Sequence, residues 1–456
     1  MTDLTDNSDP ESDADVWIAD LAWLGGPTLV SDVTIEVRDG LISSIASSAP
    51  WQGASKLNGV VLPGLVNTHS HAFHRLLRGR THRQGGDFWM WRDRMYEIAG
   101  ALTPESYERL ATAVFVEMAL AGITAVGEFH YLHHQIGGTP YADHNEMGHA
   151  LIRAARAAGI RISVLDAGYF AAGFGDEPLS PVQKRFTDGK ATVWLDRVAE
   201  MRSVHENDGD VVVGLAPHSV RAVPEAMLVE LANRIRAGTP LHIHVSEQPA
   251  ENRECVEATT LTPIGLLERV GLLDPTSTLV HATHVTDADI ELMVNAGSTV
   301  CYCPTTERDL ADGVGPAAEL AAAGVPLSVG SDSHAVIDLF EEARGIELHS
   351  RLSTGRRGVF APHELMEAAT VTGSASLGFP SAGLKEGSSA DFIVVDPESP
   401  RLAGLSEDTV LDTIVFAATA ADVRDVFVDG RQIVTDGAHP GWVDARKAFD
   451  DWTRPQ

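Results

Sequence analysis

The sequence predicts an α/β protein: a (β/α)8 TIM barrel accompanied by a small β-sandwich formed by both chain ends. Three observations carry this expectation. Eight apolar strand candidates alternate with helical patterns through the middle of the chain. Several of those helices stop at a glycine just before the next strand, and the two chain ends have a different, purely β texture.

Residues 1–14 are rich in Asp, Ser and Thr, with neither a basic nor an apolar region. They are expected to be a disordered acidic tail, not a signal peptide. Strands are expected over 16–24 and 34–38, and Asp39-Gly40 is a hairpin turn signal before 41–45. The far end repeats this texture at 390–396 and 426–428, with Asp429-Gly430 before Ile433-Val434. The expected division is therefore a composite sandwich from 15–60 and 380–445, and a barrel over 61–379. Barrel strand candidates run over 59–66, 123–129, 161–167, 211–216, 240–245, 278–281, 298–303 and 326–330. Helical patterns lie between most of them, and Gly122, Gly159, Gly238, Gly271, Gly297 and Gly324 punctuate the helix-to-strand joints. No Gly-x-Gly-x-x-Gly follows the first strand, which speaks against a dinucleotide site.

A chain of 456 residues that is 44% hydrophobic and 21% charged has the composition of a soluble globular protein. Its net charge of −30 disfavours nucleic acid and anionic membrane as partners. An anionic substrate would need arginines close by to overcome that field. No apolar run of about 18 residues predicts a membrane span. Three cysteines make no disulfide framework and fit a reducing compartment, so the cytoplasm is the expected location. Cys301 and Cys303 are expected to pack in a buried strand.

In such a barrel, chemistry gathers where the C-terminal ends of the strands meet. Those ends carry, in order, His69 and His71, Glu128 and His130, Asp166, His218, then His242, His244 and Glu247. His281 and His284 end the sixth strand, and Asp332 and His334 the eighth. On an extended segment, residues at i and i+2 face the same side, so His69 and His71 are placed to share one metal ion. Asp166, His284 and His334 are expected to be polar groups satisfied at a strand end.

The set His69-x-His71, His244-x-x-Glu247, His281 and Ser331-Asp332 resembles the amidohydrolase superfamily, in its mononuclear deaminase branch. The resemblance spans almost the whole chain. It implies that His69, His71, His244 and Asp332 bind one divalent metal, zinc first, with iron or manganese as alternatives. No lysine ends the fourth strand, where binuclear relatives carry a bridging one, so one metal is expected. Such a metal lowers the pKa of bound water from about 15.7 towards 7, making hydroxide available for attack on an sp² carbon. The implied roles are Asp332 as ligand and proton acceptor, Glu247 as general acid, and His281 as the group that orients the nucleophile.

Segments outside the metal set resemble the formimidoylglutamate deiminases within that superfamily. They are Asp87-Phe88-Trp89-Met90-Trp91-Arg92-Asp93-Arg94-Met95-Tyr96, Gly127-Glu128-Phe129-His130-Tyr131-Leu132-His133-His134, Ala216-Pro217-His218-Ser219-Val220-Arg221, Cys303-Pro304-Thr305-Thr306-Glu307 and His242-Ile243-His244-Val245-Ser246-Glu247-Gln248. The resemblance implies hydrolysis of N-formimidoyl-L-glutamate to N-formyl-L-glutamate and ammonia, a step of histidine breakdown. Arg92, Tyr131 and Arg221 would then hold the dicarboxylate, with His218 as a further contact and Arg94 as a rival to Arg92. Many relatives have glutamine where this chain has His74, so the contact of that residue with substrate is the point of departure. The resemblance also implies a homodimer. Two other readings stand beside it: a deaminase of an aromatic base or nucleoside, and a non-catalytic scaffold.

Overall fold

The computed structural model describes residues 14–47, 53–81, 88–175, 177–379, 382–406 and 408–453. The expected acidic tail lies outside the described residues, Ala14 excepted. Strands sort into a parallel eight-stranded sheet and a separate seven-stranded mixed sheet.

The seven-stranded sheet joins the two ends of the chain. Asp15–Ala22 pairs with Val30–Arg38 on one side and with Ser55–Pro63 on the other, and Phe392–Val395 extends the sheet from Ser55–Pro63. Both expected hairpin turns are present. Asp39 and Gly40 have φ of 50° and 78°, and Asp429 and Gly430 have 51° and 70°. Positive φ at both central residues matches the right-handed twist of the strands they connect. Trp17, Phe392 and Phe427 pack edge-on and stacked in the core of this unit.

The expected first barrel strand, 59–66, is divided in the structure. Ser55–Pro63 belongs to the seven-stranded sheet, and the first barrel strand is Leu65–Ser70. Gly64 marks the break: a Cβ there would lie 2.2 Å from the Thr124 hydroxyl, too close for any other residue. The apolar run is continuous in sequence because both halves are buried, so hydrophobicity alone could not divide it.

The other seven barrel strands are Ile123–His130, Arg161–Gly168, Val211–Pro217, Leu241–Val245, Ser277–His281, Thr299–Tyr302 and Leu327–Val329. The six punctuating glycines all have positive φ, between 71° and 89°. The first and eighth strands close the barrel through side chains as well as backbone. Asn67 donates to Ser331 Oγ at 2.7 Å and accepts the Ser331 N–H at 2.9 Å. Backbone bonds from His71 N to Asp332 O and from Asp332 N to His69 O complete the seam. That seam places three of the candidate site residues on adjacent backbone. No described helix is long and apolar enough to cross a membrane.

Candidate active site

Three imidazoles and one carboxylate converge at the strand ends. His244 Nε2 lies 3.1 Å from His69 Nε2 and 3.3 Å from His71 Nε2. Asp332 Oδ1 is 3.4 Å from His69 Nε2 and 3.5 Å from His71 Nε2. Four ligands about 2.0–2.1 Å from one zinc ion would stand about 3.3 Å apart at the corners of a tetrahedron, so the spacing fits a single metal. The orientation fits as well. His71 Nδ1 is bonded to Phe129 O at 3.0 Å and His244 Nδ1 to His218 O at 2.9 Å, which leaves each Nε2 as the bare acceptor. Burial holds His69, His71 and His244 below the ordinary histidine range. For Asp332 burial acts upward, but the histidines around it prevail and keep it ionised. Facing lone pairs and a buried carboxylate call for a cation between them.

The local chain is held in strained conformations to achieve this. Ser246, His281, Ala282 and Asp332 all have φ between 44° and 74°, where non-glycine residues rarely sit. At Gly330, the residue two before Asp332, a Cβ would meet His69 backbone at 2.7 Å. Glu128 clamps the His71 segment from below, accepting from Ser70 Oγ at 2.6 Å and Ala72 N at 2.7 Å. Burial pushes its carboxyl up to about 8.

Beside the donor set stand the proton-handling groups. His281 Nε2 is 4.0 Å from Glu247 Oε1 and 3.9 Å from Asp332 Oδ2, and its Nδ1 is 3.4 Å from Glu307 Oε1. Burial opposes charge on His281, but Glu247, Glu307 and Asp332 outweigh it and hold the ring protonated. Cys303 is buried as expected, yet its thiol also borders the site, within 4.8 Å of donor atoms of His281 and Asp332. Burial keeps that thiol protonated.

A cleft of about 830 Å³, counting the space at its open mouth, rises from these groups. Every expected substrate contact lines it: His74, Arg92, Tyr131, His218 and Arg221. His74 Nε2 is 2.7 Å from the Tyr131 hydroxyl, and burial holds His74 and His218 down to about 3, as neutral rings. Arg221 lies 3.9 Å from Glu247 and 3.7 Å from Glu251, with about a third of its side chain (31%) exposed. Arg94 turns outward and pairs with Glu97 at 2.6 Å, and Arg308 pairs with Glu341 at 2.8 Å. Asp166, His284 and His334 are satisfied structurally: Arg197 and Trp194 bind Asp166, Asp312 O meets His284, and Ser331 meets His334. Tyr96, Tyr169, Gln183 and Phe186 also line the cleft; Tyr96 ends the first family-like segment, whereas the other three carried no signal in the sequence, because they are isolated residues in irregular segments.

A barrel whose strand ends present three histidines, an aspartate, a glutamate and a further histidine has the architecture of a metal-dependent hydrolase. The amidohydrolase family model matches residues 60–433, and the chain belongs to that family; it is a hydrolytic enzyme. Among curated proteins it is 37% identical over 421 residues to a formimidoylglutamate deiminase of Pseudomonas aeruginosa, covering 90% of this chain and 92% of the relative. It is 30% identical over 425 residues to a 5-methylthioadenosine/S-adenosylhomocysteine deaminase of Natronomonas pharaonis, again covering 90% and 92%. An amidohydrolase structure from Brucella melitensis superposes with a TM-score of 0.90 at 35% identity, covering 96% of this chain and 98% of the other.

Proposed function

We propose that this deaminase of the amidohydrolase family hydrolyses N-formimidoyl-L-glutamate to N-formyl-L-glutamate and ammonia. The observation that carries the reading is the pair Arg92 and Arg221 lining the cleft above the metal donors of a chain with net charge −30. Two cations in such a field suit a substrate with two carboxylates. The similarity to the Pseudomonas aeruginosa deiminase supports the same substrate.

His69, His71, His244 and Asp332 would hold one divalent metal, zinc by donor type, which when bound supplies a Lewis acid that activates water. The protein groups then divide the remaining work. Asp332 Oδ2 takes a proton from the attacking water, and Glu247 delivers one to the departing nitrogen. Protonated His281, between those two carboxylates, stabilises charge developing on oxygen at the formimidoyl carbon. Water adds to the C=N carbon, the C–N bond breaks, and ammonia leaves with a carbonyl in its place. Arg92, Tyr131, His218 and Arg221 bind the glutamate part, and His74, joined to Tyr131, faces the formimidoyl end.

The adenosine-type relative supports a second reading, deamination of an aromatic base, and Trp91, Tyr96 and Phe186 give the cleft flat apolar walls for a ring. Ammonia release from N-formimidoyl-L-glutamate, set against 5-methylthioadenosine on the zinc-loaded enzyme, decides between them. Turnover of the nucleoside alone would reject our reading. A homodimer in the cytoplasm completes the proposal from the family resemblance; light scattering of the purified protein tests the assembly, and a monomer would contradict it.

A further inference from the structure

Two polar side chains in the cleft have no part in the chemistry above. Tyr169 follows the third barrel strand by one residue, and Gln183 opens the short 3-10 turn Gln183–Arg185. Both are nearly buried, at 8% and 7% exposed. The direction of the hydrogen bond between them is set from behind. Gln183 Oε1 accepts the Ser180 N–H at 2.9 Å, so that end of the amide is its carbonyl. The other end is the amide nitrogen, and Nε2 donates to Tyr169 Oη at 2.8 Å.

A phenol oxygen that accepts in this way keeps its own proton to give. The Tyr169 ring cannot swing away, because it lies edge-on against His218 at 5.0 Å and Phe186 at 5.5 Å between ring centres. Arg92 and Arg221, which line the same cleft, both act on this phenol electrostatically. An anion held by those arginines would offer that hydroxyl a charged acceptor.

We propose that Tyr169, oriented by Gln183, is a specificity-determining substrate contact whose hydroxyl donates to the carboxylate held by Arg92 and Arg221. The inference rests on the dicarboxylate reading of the cleft. It explains why a buried amide is spent on one phenol: Gln183 turns a group that can give or take a hydrogen bond into one that only gives. A neutral ring substrate gains nothing from that arrangement.

Calorimetric binding of N-formyl-L-glutamate to the zinc-loaded enzyme tests it, with the wild type, Tyr169→Phe, Gln183→Leu and the double variant compared. Tyr169→Phe keeps the ring packing and should weaken binding about tenfold, the effect of one hydrogen bond to a charged group. KM for the substrate should rise in parallel while kcat changes little. Gln183→Leu should weaken binding less, and in the Phe background should add nothing, since its effect passes through the lost hydroxyl. A wild type that does not bind the dicarboxylate overturns both this inference and the reading beneath it. A wild type that binds, with Tyr169→Phe binding equally well, overturns the inference alone. Additive losses in the double variant overturn the orienting role of Gln183.

Discussion

Two clusters of buried histidine and aspartate stand at strand ends of the same barrel, and they differ in where their positive charge comes from. His69, His71, His244 and Asp332 face one another with no arginine or lysine bonded to the carboxylate, and the nearest positive group is His281, 3.9 Å from Asp332 Oδ2. His130, His133 and Asp166 also bring donor atoms within 4.8 Å of one another, and all three are buried. There, however, Arg197 reaches Asp166 with two hydrogen bonds of 2.7 Å, and Trp194 adds a third at 2.9 Å. Arg197 also pairs with Asp188, which in turn meets His134 at 3.1 Å. The second cluster carries its cation in the chain, so its carboxylate has nothing left to offer a metal. Donor type and burial are shared; an arginine bonded directly to the carboxylate separates the structural knot from the candidate metal centre.

Breaking the first cluster should have the largest effect. Asp332→Asn removes a ligand and a proton acceptor together, and ammonia release should fall by about 10³-fold or more. A variant that retains a tenth of the rate would show that Asp332 does neither job.

Breaking the second cluster should act on stability instead. Arg197→Met strands the buried Asp166 charge and should cost about 3–5 kcal/mol in urea unfolding, as for a buried pair that loses one partner. The pH dependence should also change sign. In the wild type burial raises the Asp166 carboxyl, but Arg197 outweighs it and holds the group low. That stabilisation is present above the unfolded value of about 3.9 and is lost as the pH falls through the lower folded value. With Arg197 gone, burial, the largest influence on this carboxyl, is opposed only by the Trp194 hydrogen bond and by His133 and His130, so the variant should lose stability as the pH climbs above about 4. A variant with the wild-type pH profile would break the comparison.

Smaller effects sharpen it at the cleft. Arg221→Met should raise KM for the dicarboxylate about 10- to 100-fold with a lesser change in kcat. Arg94→Ala, which loses only an exposed pair with Glu97, should leave KM within about twofold and stability within about 1 kcal/mol. Equal effects from the two variants would mean that the cleft does not recognise charge.

The candidate metal donors were legible because the barrel fixes what a strand end means. Once eight strands are counted their ends share one face, and the family resemblance picks His69, His71, His244 and Asp332 from the polar residues there. The helix-ending glycines were legible for the same reason: each is a local backbone requirement. Arg92 and Arg94 could not be separated without the helix Phe88–Ala101, on which two residues apart means about 200° around the axis. Only Arg92 then faces the cleft. Tyr169 and Gln183 stayed hidden because their pairing joins two irregular segments with no periodicity. The split at Gly64 was hidden because both flanking strands are buried. His74 and its bond to Tyr131 could be placed only by the fold, since neither residue marks the other in sequence.

Metal content tests the distinction between the two clusters most directly. The wild type, His244→Ala and His133→Gln should be purified in parallel and analysed by mass spectrometry for zinc, iron and manganese. One divalent ion per chain is expected in the wild type and in His133→Gln, and almost none in His244→Ala. Metal retained by His244→Ala, or lost with His133→Gln, would contradict the assignment of the centre to His69, His71, His244 and Asp332.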